Sequence, residues 1–280
     1  MLKNKIYVIS EIGINHNGNI KLAKKLIDKS HAAGADAVKF QKRTIDLVYT
    51  SEELDKYRES PWGTTNRQQK EGLEFSIEQY KDLESYTNQL NMDFIVSCWD
   101  NNSVDLVEEN LNVKYHKVAS ALATNKEFLE KLNSTGRPVI LSTGMCNSEQ
   151  IFAAVEILDN VEIILACTST YPTVAEEINL RHVTTLKSKY PTLKVGFSNH
   201  YNGADACVGA VALGATCVEF HITNDRTDYG SDQAASIENA AQLVDAMRKM
   251  NLMVGDGIKK VYESEKPIAK KLRKVDDVLF

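Results

Sequence analysis

The chain has 280 residues, 43% hydrophobic and 25% charged, so it can bury a sizeable core within one large domain. Its formal net charge of -5 at pH 7 argues against nucleic-acid binding, because no basic stripe is available to displace counterions from a phosphate backbone. The longest apolar runs are too short to span a bilayer, and the N-terminus lacks the apolar region of a signal peptide. These features predict a cytoplasmic protein that binds neither nucleic acid nor membrane.

The five cysteines, at positions 98, 146, 167, 207 and 217, are odd in number and form no CxxC pair. This spacing indicates neither a disulfide framework nor a zinc knuckle. We expect buried free thiols.

Short β-branched runs alternate with amphipathic stretches along the whole chain. Helical periodicity is clearest at residues 20–33, 77–90, 147–158 and 236–250. Eight strands are predicted, at residues 6–11, 37–41, 93–97, 115–119, 138–142, 162–167, 194–198 and 216–221. Eight successive βα units predict an α/β fold of the (β/α)8 TIM-barrel type.

A doubly wound parallel sheet is the main structural alternative, because it has a similar content of strands and helices. Polar residues recur at the C-terminal ends of most predicted strands. In a barrel these ends meet at one mouth, whereas a doubly wound sheet places its ligand at a single switch point. The barrel is therefore favoured.

Two segments interrupt the βα rhythm. The connection at residues 42–75 is far longer than the usual βα loop and predicts a lid or substrate loop. We expect it, including Trp62 and Arg67, to lie over the mouth of its own barrel or of a partner's. After Met250 the chain runs through Gly255 and Gly257 into a segment rich in lysine and glutamate. We predict a barrel domain at residues 1–254 and a charged tail at 255–280.

The predicted strand ends carry a set of side chains suited to binding an anion and a metal ion. They are Glu11, His16, Lys39, Gln41, Ser97, Lys117, Ser120, Ser142, Thr143, Thr168, Ser169, Ser198, His200, Glu219 and His221. Lysines and hydroxyls supply positive charge and hydrogen-bond donors for an anion. His200 and His221 follow neighbouring strands and are placed to hold one cation through neutral imidazoles.

Taken one at a time, these residues have structural alternatives. A lysine at a strand end is more often solvated or ion-paired than a ligand. A single histidine is about as often a hydrogen-bonded structural group as a metal ligand. We assign His31, His116 and His182 to structural roles. The functional prediction depends on the convergence of several side chains from different strands.

Several motifs together resemble the sialic acid synthase family. They are ISEIGINHNG at residues 9–18, AGADAVKFQ at 33–41, SPWG at 60–63, LEFS at 73–76, ILSTGM at 140–145, CTSTYP at 167–172, HIT at 221–223 and GSD at 230–232. The resemblance extends over essentially the whole chain. It implies a (β/α)8 barrel, in agreement with the strand count.

The resemblance implies a transferase that condenses phosphoenolpyruvate with N-acetylmannosamine or a related amino-sugar aldehyde. The products are a sialic-acid-type nonulosonic acid and phosphate, and the implied cofactor is a divalent metal, most often manganese. By this likeness Glu11, Lys39 and Lys117 are catalytic, and His200 and His221 are metal ligands. Substrate binding is assigned to Gln41, Ser97, Ser120, Ser142, Ser169, Tyr171, Ser198 and Asp232, with Glu11, Gln41, Tyr171 and Asp232 on the acceptor side.

Family members usually continue into a small antifreeze-like domain that contributes an arginine to the acceptor site of a dimer. We expect a homodimer here, with the tail resembling the start of the linker to that domain. The arginine would then come from a separate antifreeze-like protein, or the acceptor would bind without it, or activity would be weak.

Three positions differ from the family pattern on the acceptor side. Leu122 stands where an acidic residue is usual, Phe220 stands where a basic residue is common, and Gln233 follows the GSD motif at residues 230–232. We expect Leu122 and Phe220 to make the acceptor pocket apolar and to favour a deoxy or acylated sugar. Two other functions stay open: a 3-deoxy-ulosonate phosphate synthase, for which no extra arginine cluster is evident, and a non-catalytic barrel that serves as a partner subunit.

Overall fold

The computed structural model describes residues 5–230 and 232–273. Eight parallel strands close into a barrel, in the order β1, β10, β9, β8, β7, β6, β5, β2, and β3 pairs with β4 in a separate hairpin. The strands are β1 (Tyr7–Gly13), β2 (Ala37–Lys42), β3 (Tyr57–Ser60), β4 (Gly63–Thr65), β5 (Asp93–Cys98), β6 (His116–Val118), β7 (Val139–Ser142), β8 (Val161–Cys167), β9 (Lys194–Asn199) and β10 (Cys217–His221). The predicted TIM barrel is confirmed.

Helices surround the barrel and connect its strands. They are α1 (Ile20–Ala33), α2 (Ile45–Val48), α3 (Ser51–Asp55), α4 (Asn66–Leu73), α5 (Ile77–Gln89), α6 (Asn101–Asn110), α7 (Lys126–Ser134), α8 (Ser148–Ile157), α9 (Arg181–Lys189), α10 (Asp205–Ala212), α11 (Ala240–Met253) and α12 (Lys266–Leu272). Their starts are fixed locally: Ser76 caps α5 and Asn147 caps α8, each in a reciprocal pair with the glutamine three residues on.

The alternation of side chains along the strands produces two separate apolar layers. Val8, Phe40 and Phe197 point outward and pack in the layer between the strands and the helices. The inner layer fills the barrel below its mouth and consists of Ile9, Ala37, Ile95, Tyr115, Ile140, Ile163, Leu165 and Cys217. Because side chains repeat every two residues, the next inward position on each strand lies at the mouth, above this layer.

The segment at residues 42–75 is a folded unit that contains α2, α3, the β3–β4 hairpin and α4. Trp62 packs against the helix α4, where a Cβ atom at Gly72 would lie 2.2 Å from Trp62 Cγ. The Trp62 ring also meets Tyr229 edge-on, at 5.7 Å between centroids. The hairpin therefore joins α4 to the loop that follows β10.

The five cysteines are free thiols, as predicted. Three of them are buried, whereas Cys146 and Cys167 are only half-buried, and Cys167 ends β8 at the mouth of the barrel. Among the described residues, every helix is too short or too polar to cross a lipid bilayer. His116 is buried beside Glu108, at 2.8 Å, which fits its predicted structural role.

Candidate active site

A cavity at the C-terminal end of the barrel, which we call the inner cavity, brings the predicted residues together. Of the residues that the family resemblance assigns to the site, all except Asp232 line it: Glu11, Lys39, Gln41, Ser97, Lys117, Ser120, Ser142, Ser169, Tyr171, Ser198, His200 and His221. His16, Thr143 and Thr168, which also belong to the predicted strand-end set, do not line it. Trp99, Ala119, Ala121, Met145 and Glu219 complete the lining. The convergence follows from the barrel, since these side chains come from all eight strands or from the turns that follow them.

Two lysines and two glutamates form a buried charge network at the base of the inner cavity. Lys39 Nζ lies 2.7 Å from Glu11 Oε2 and 3.7 Å from Glu219 Oε2. Lys117 Nζ lies 3.4 Å from Glu219 Oε1, which also accepts a 3.0 Å hydrogen bond from Ser198. Glu219 appears among the strand-end residues of the sequence analysis but was assigned no role in the site. The inward position of Glu219 could be predicted from that of His221, because residues two apart on a strand point to the same face.

The network shifts the pKa values of its members in opposite directions. Burial raises the pKa of Glu219, but the attraction of Lys117 and Lys39 outweighs it and brings the pKa to about 2. Burial also lowers the pKa of Lys39, which Glu11 and Glu219 raise above its ordinary value. For Lys117 burial dominates and the pKa is lowered. A further anion beside Lys117 would favour its charged form.

Hydroxyl groups surround this network. Ser97 Oγ donates to the Lys117 carbonyl at 3.1 Å, and Ser120 Oγ accepts from the Gly144 amide at 3.1 Å. Ser142 Oγ is buried and has no hydrogen-bond partner within the part of the chain that the structure describes. Gly144 is required here because a Cβ atom would lie 2.1 Å from Ser169 Oγ. The buried hydroxyl of Ser142 is thus available to a ligand.

His200 and His221 are neighbours, with ring centroids 5.2 Å apart. His200 Nδ1 lies 2.7 Å from the Thr168 carbonyl, so Nδ1 carries a proton toward that oxygen and Nε2 can keep a lone pair. His221 Nδ1 is buried without a hydrogen-bond partner and lies 3.5 Å from Asp232 Oδ2. Burial lowers the pKa of His221, which favours the neutral ring. Burial lowers the pKa of His200 as well, but the contacts with Cys167 and the Thr168 carbonyl raise it above its ordinary value. His221 therefore offers a nitrogen lone pair in its neutral form, and His200 offers one at Nε2 once it is deprotonated.

These two imidazoles would supply two ligands to a divalent cation. In residues 5–230 and 232–273, no group of three or more histidine, cysteine, aspartate or glutamate side chains is arranged to hold a metal ion. A metal held by His200 and His221 would therefore take its other ligands from water or substrate. Its coordination shell would keep positions open to exchangeable ligands, as in catalytic metal sites.

Cys167 lies beside the histidines. Its Sγ is 3.7 Å from His200 Nδ1 and 3.5 Å from Ser169 Oγ. Burial raises the pKa of this thiol, but the contacts with His200 and Ser169 lower it to about 7. From sequence, Cys167 is predicted to be a buried thiol like the others, because cysteine spacing does not reveal an inward position at a strand end.

A second cavity, which we call the outer cavity, adjoins the inner one and shares Gln41, Trp99 and Tyr171 with it. Asp232, the predicted residue absent from the inner cavity, lies here. The remaining lining consists of Ile14, Arg43, Ile45, Tyr49, Lys70, Leu73 and Glu74. The segment at residues 42–75 thus walls the mouth, through Arg43, Ile45, Tyr49, Lys70, Leu73 and Glu74. Trp62 and Arg67, which we expected there, line neither cavity.

The expected contribution of Leu122 and Phe220 to an apolar pocket is wrong. Phe220 is fully buried and lies in the outer apolar layer, on the face of β10 opposite to Glu219 and His221. Leu122 packs against the same outer layer. Neither side chain lines a cavity at the mouth, so they give no reason to expect a deoxy sugar.

The fold is that of a (β/α)8 barrel, and its mouth brings together two buried lysines, several hydroxyls and two neighbouring imidazoles. The chain belongs to the NeuB family, whose model matches residues 26–259. It is 37% identical to mouse N-acetylneuraminate-9-phosphate synthase over 279 residues, which is 97% of this chain and 77% of that protein. It is 35% identical to N,N'-diacetyllegionaminic acid synthase from Campylobacter jejuni over 273 residues, covering 93% of this chain and 81% of that one.

A solved structure has the same architecture. N-acetylneuraminic acid (sialic acid) synthetase from Leptospira borgpetersenii, in complex with citrate, superposes with a TM-score of 0.85 at 29% identity. The match covers 98% of this chain and 94% of that chain. The two chains therefore share the barrel over nearly their whole lengths.

Proposed function

We propose that this protein condenses phosphoenolpyruvate with the aldehyde of an N-acylated hexosamine, giving a sialic-acid-type nonulosonic acid and phosphate. The observation that carries the proposal is the inner cavity, where two buried lysines and a ring of hydroxyls stand beside two imidazoles. The names of the mouse and Campylobacter relatives support this class of product.

In the reaction, C3 of phosphoenolpyruvate forms a bond to the aldehyde carbon, and the aldehyde oxygen takes up a proton. Water adds at C2, and phosphate leaves by cleavage of the C2–O bond. Lys39 and Lys117, with the neighbouring serines, hold the carboxylate and phosphate by charge-assisted hydrogen bonds. Glu11, 2.7 Å from Lys39 Nζ, is placed to hold or relay a proton beside the reacting groups.

His200 and His221 would hold the divalent metal, for which manganese is our proposal. Such an ion, when bound, polarises a carbonyl group as a Lewis acid. The protein's own contribution is to orient the two rings: the Thr168 carbonyl fixes the proton of His200, and Asp232 lies on the Nδ1 side of His221.

The test is phosphate release from phosphoenolpyruvate, measured with manganese across a panel of N-acylated hexosamines. Release that requires both a sugar and the enzyme would support the proposal. No release with any sugar, together with intact phosphoenolpyruvate binding, would instead favour the non-catalytic alternative. Release with a non-aminated pentose or tetrose phosphate would favour the 3-deoxy-ulosonate phosphate alternative.

The assembly of the protein also stays a prediction. A homodimer, a separate antifreeze-like protein that completes the acceptor site, and a cytoplasmic location are our expectations. Sedimentation of the purified protein, with and without an antifreeze-like domain added, would test the first two.

A further inference from the structure

Trp99 lines the mouth of the barrel but has no role in the proposed reaction. It directly follows β5 and borders both the inner and the outer cavity, as Gln41 and Tyr171 also do. The polar atom of its side chain, Nε1, is buried and has no hydrogen-bond partner in the part of the chain that the structure describes. An indole N–H can only donate, and buried donors are almost always paired. This group therefore indicates an oxygen supplied by a ligand.

The indole ring is held in one orientation before any ligand binds. The Arg43 guanidinium lies over it, 4.3 Å from the ring centre, and Arg43 Nη2 donates to Gln41 Oε1. The backbone N–H of Trp99 donates to the Lys42 carbonyl at 3.0 Å. Because the protein already fixes the ring, a ligand that accepts from Nε1 does not have to order it.

The inward side chains at the mouth form two levels along the barrel axis. On four strands the inner cavity is lined by two residues that are two positions apart, which point to the same face and lie roughly 6–7 Å apart along the strand. With the deeper residue first, the pairs are Lys39 and Gln41, Ser97 and Trp99, Ser198 and His200, and Glu219 and His221. In the proposed function the deeper level binds phosphoenolpyruvate, and the upper level contains the imidazoles and Gln41. Trp99 therefore belongs to the level of the acceptor.

Trp99 also lies across the mouth from His200. In the closed barrel β5 is four strands away from β9 in either direction, and His200 directly follows β9. A sugar whose aldehyde lies beside the imidazoles therefore extends its remaining carbons toward Trp99. The far end of such a sugar reaches the boundary between the inner and the outer cavity, to which Trp99 belongs.

We propose that Trp99 selects the acceptor by donating its indole N–H to a neutral oxygen on the half of the sugar remote from the aldehyde, at C4, C5 or C6. This inference rests on the proposed function. A hydroxyl oxygen and an acyl carbonyl oxygen share the chemistry that the indole recognises, and the test separates them. An ammonium group at the same position has no lone pair to offer and is rejected.

The test measures kcat/KM for N-acetylmannosamine and for its 4-deoxy, 5-deoxy and 6-deoxy analogues. The wild type should lose about five- to thirtyfold with one of the three analogues, because Nε1 is then left buried and unpaired. Trp99→Phe keeps an aromatic ring beneath Arg43 but lacks the N–H. It should lower kcat/KM for N-acetylmannosamine by a similar factor and use that one analogue equally well, within about twofold.

An analogue with an acetamido group in place of the C4 hydroxyl separates the two kinds of oxygen. A higher kcat/KM than for N-acetylmannosamine in the wild type, but not in Trp99→Phe, assigns the contact to an acyl carbonyl. Trp62→Phe is the matched control, because it makes the same change at a residue that lines neither cavity. It should keep the wild-type ratios among the sugars. The inference is overturned if every deoxy analogue loses the same factor in Trp99→Phe as in the wild type.

A binding measurement separates this inference from the proposed function. The chain has two tryptophans, so protein labelled with 15N-tryptophan gives two indole N–H signals, and Trp99→Phe identifies the signal of Trp99. N-acetylmannosaminitol, whose alcohol cannot form the new C–C bond, is added in the presence of phosphoenolpyruvate and magnesium. The Trp99 indole proton should move downfield, whereas the Trp62 signal should not.

If the Trp99 signal moves but no sugar releases phosphate, the Trp99 contact stands and the synthase proposal fails. If the Trp99 signal stays in place at the highest sugar concentration, the contact is refuted, whatever the activity assay shows.

Discussion

Lys117 is a residue whose charge is opposed by its surroundings. It is fully buried, and its pKa is lowered by burial despite the nearby Glu219. Replacing Lys117 with methionine keeps the volume and removes a charge-assisted contact worth roughly 1.5–3 kcal/mol. We expect the dissociation constant of phosphoenolpyruvate to rise about ten- to a hundredfold, measured by calorimetry.

The matched control for this prediction is Lys194→Met. Lys194 begins β9 at the opposite end of the barrel and pairs with Glu162 on the surface. It should leave phosphoenolpyruvate affinity unchanged. An unchanged affinity in Lys117→Met as well would remove this residue from the binding site.

The histidine pair makes a separate prediction, independent of turnover. His200→Ala and His221→Ala should each abolish stoichiometric manganese binding, because one imidazole and the surrounding water hold the ion far less tightly than two imidazoles do. Equilibrium dialysis followed by elemental analysis measures the bound metal. The exposed His31→Ala variant should retain the parent stoichiometry, and retention in all three would refute the pair as ligands.

The charge of Lys70 gives a pH dependence with a definite sign. Because its pKa is lowered to about 8, the ammonium loses its proton as pH rises through that value. The KM for an acceptor that bears a negative charge, such as N-acetylmannosamine 6-phosphate, should therefore increase above about pH 8, while the KM for neutral N-acetylmannosamine follows no such step. In Lys70→Met the difference between the two acceptors should become independent of pH in this range. A step of equal size for both acceptors would assign the titration to another group.

At this scale, the strand-end rule predicted most of the site because alternation and strand length fix where an inward side chain lies. The same rule explains the error at Phe220, which is adjacent to His221 and must therefore point to the other face. Lys70 could not be predicted in this way, since its position depends on how a long connection folds back. Arg43 directly follows β2, but nothing in the sequence shows that its side chain turns into the mouth.

The lid, residues 42–75, is the segment whose secondary structure was hardest to predict from the sequence. Its helices α2 and α3 have four and five residues, too short for a clear hydrophobic period, and the β3–β4 hairpin is exposed along much of its length. Such pieces are held by tertiary contacts rather than by their own propensities. The barrel strands were predicted more closely because each has a buried run with clear boundaries.

The packing of Trp62 on Gly72 makes a prediction about the lid alone. Gly72→Ala would place a Cβ atom 2.2 Å from Trp62 Cγ, so the indole ring could no longer pack against α4 at this position. Because Lys70 and Leu73 of α4 line the outer cavity, the KM for the acceptor should rise about tenfold, an order-of-magnitude estimate for a misplaced binding element. Phosphoenolpyruvate affinity should stay within about twofold, since the inner cavity does not include α4.

Glu71→Ala, an exposed neighbour on the same helix, controls for general effects of substitution in α4. It should leave both constants close to the parent values. Equal losses for phosphoenolpyruvate and acceptor in Gly72→Ala would show that the lid is not a separate functional unit.

For the whole molecule, stability depends on two apolar layers that share the same strands. Ile140 lies in the inner layer, is fully buried, and supports the floor of the site. Ile140→Ala should lower the free energy of unfolding by about 2–5 kcal/mol, through lost burial and the cavity left behind. Urea denaturation measures the change, and Ile258→Ala, at an exposed position, should stay within about 0.5 kcal/mol of the parent.

The order of the strands in the barrel was predictable because repeated βα units admit few topologies. Right-handed crossovers place successive strands side by side. The acceptor could not be predicted from the same pattern. It depends on the contacts between the mouth, the lid and the loop after β10, which join residues far apart in the chain, such as Trp62 and Tyr229. The family resemblance predicted which residues line the inner cavity. The lining of the outer cavity became known only from the structure.

The ion pairs that hold Lys39 between Glu11 and Glu219 should also disfavour the binding of small salt anions. A small monovalent anion entering the inner cavity would have to compete with carboxylates already in place, and it offers only one charge in return. A ligand with both a carboxylate and a phosphate engages Lys39 and Lys117 together and recovers what the disrupted pairs lose. We therefore expect chloride to bind the inner cavity weakly and to leave it open to a ligand that carries both groups.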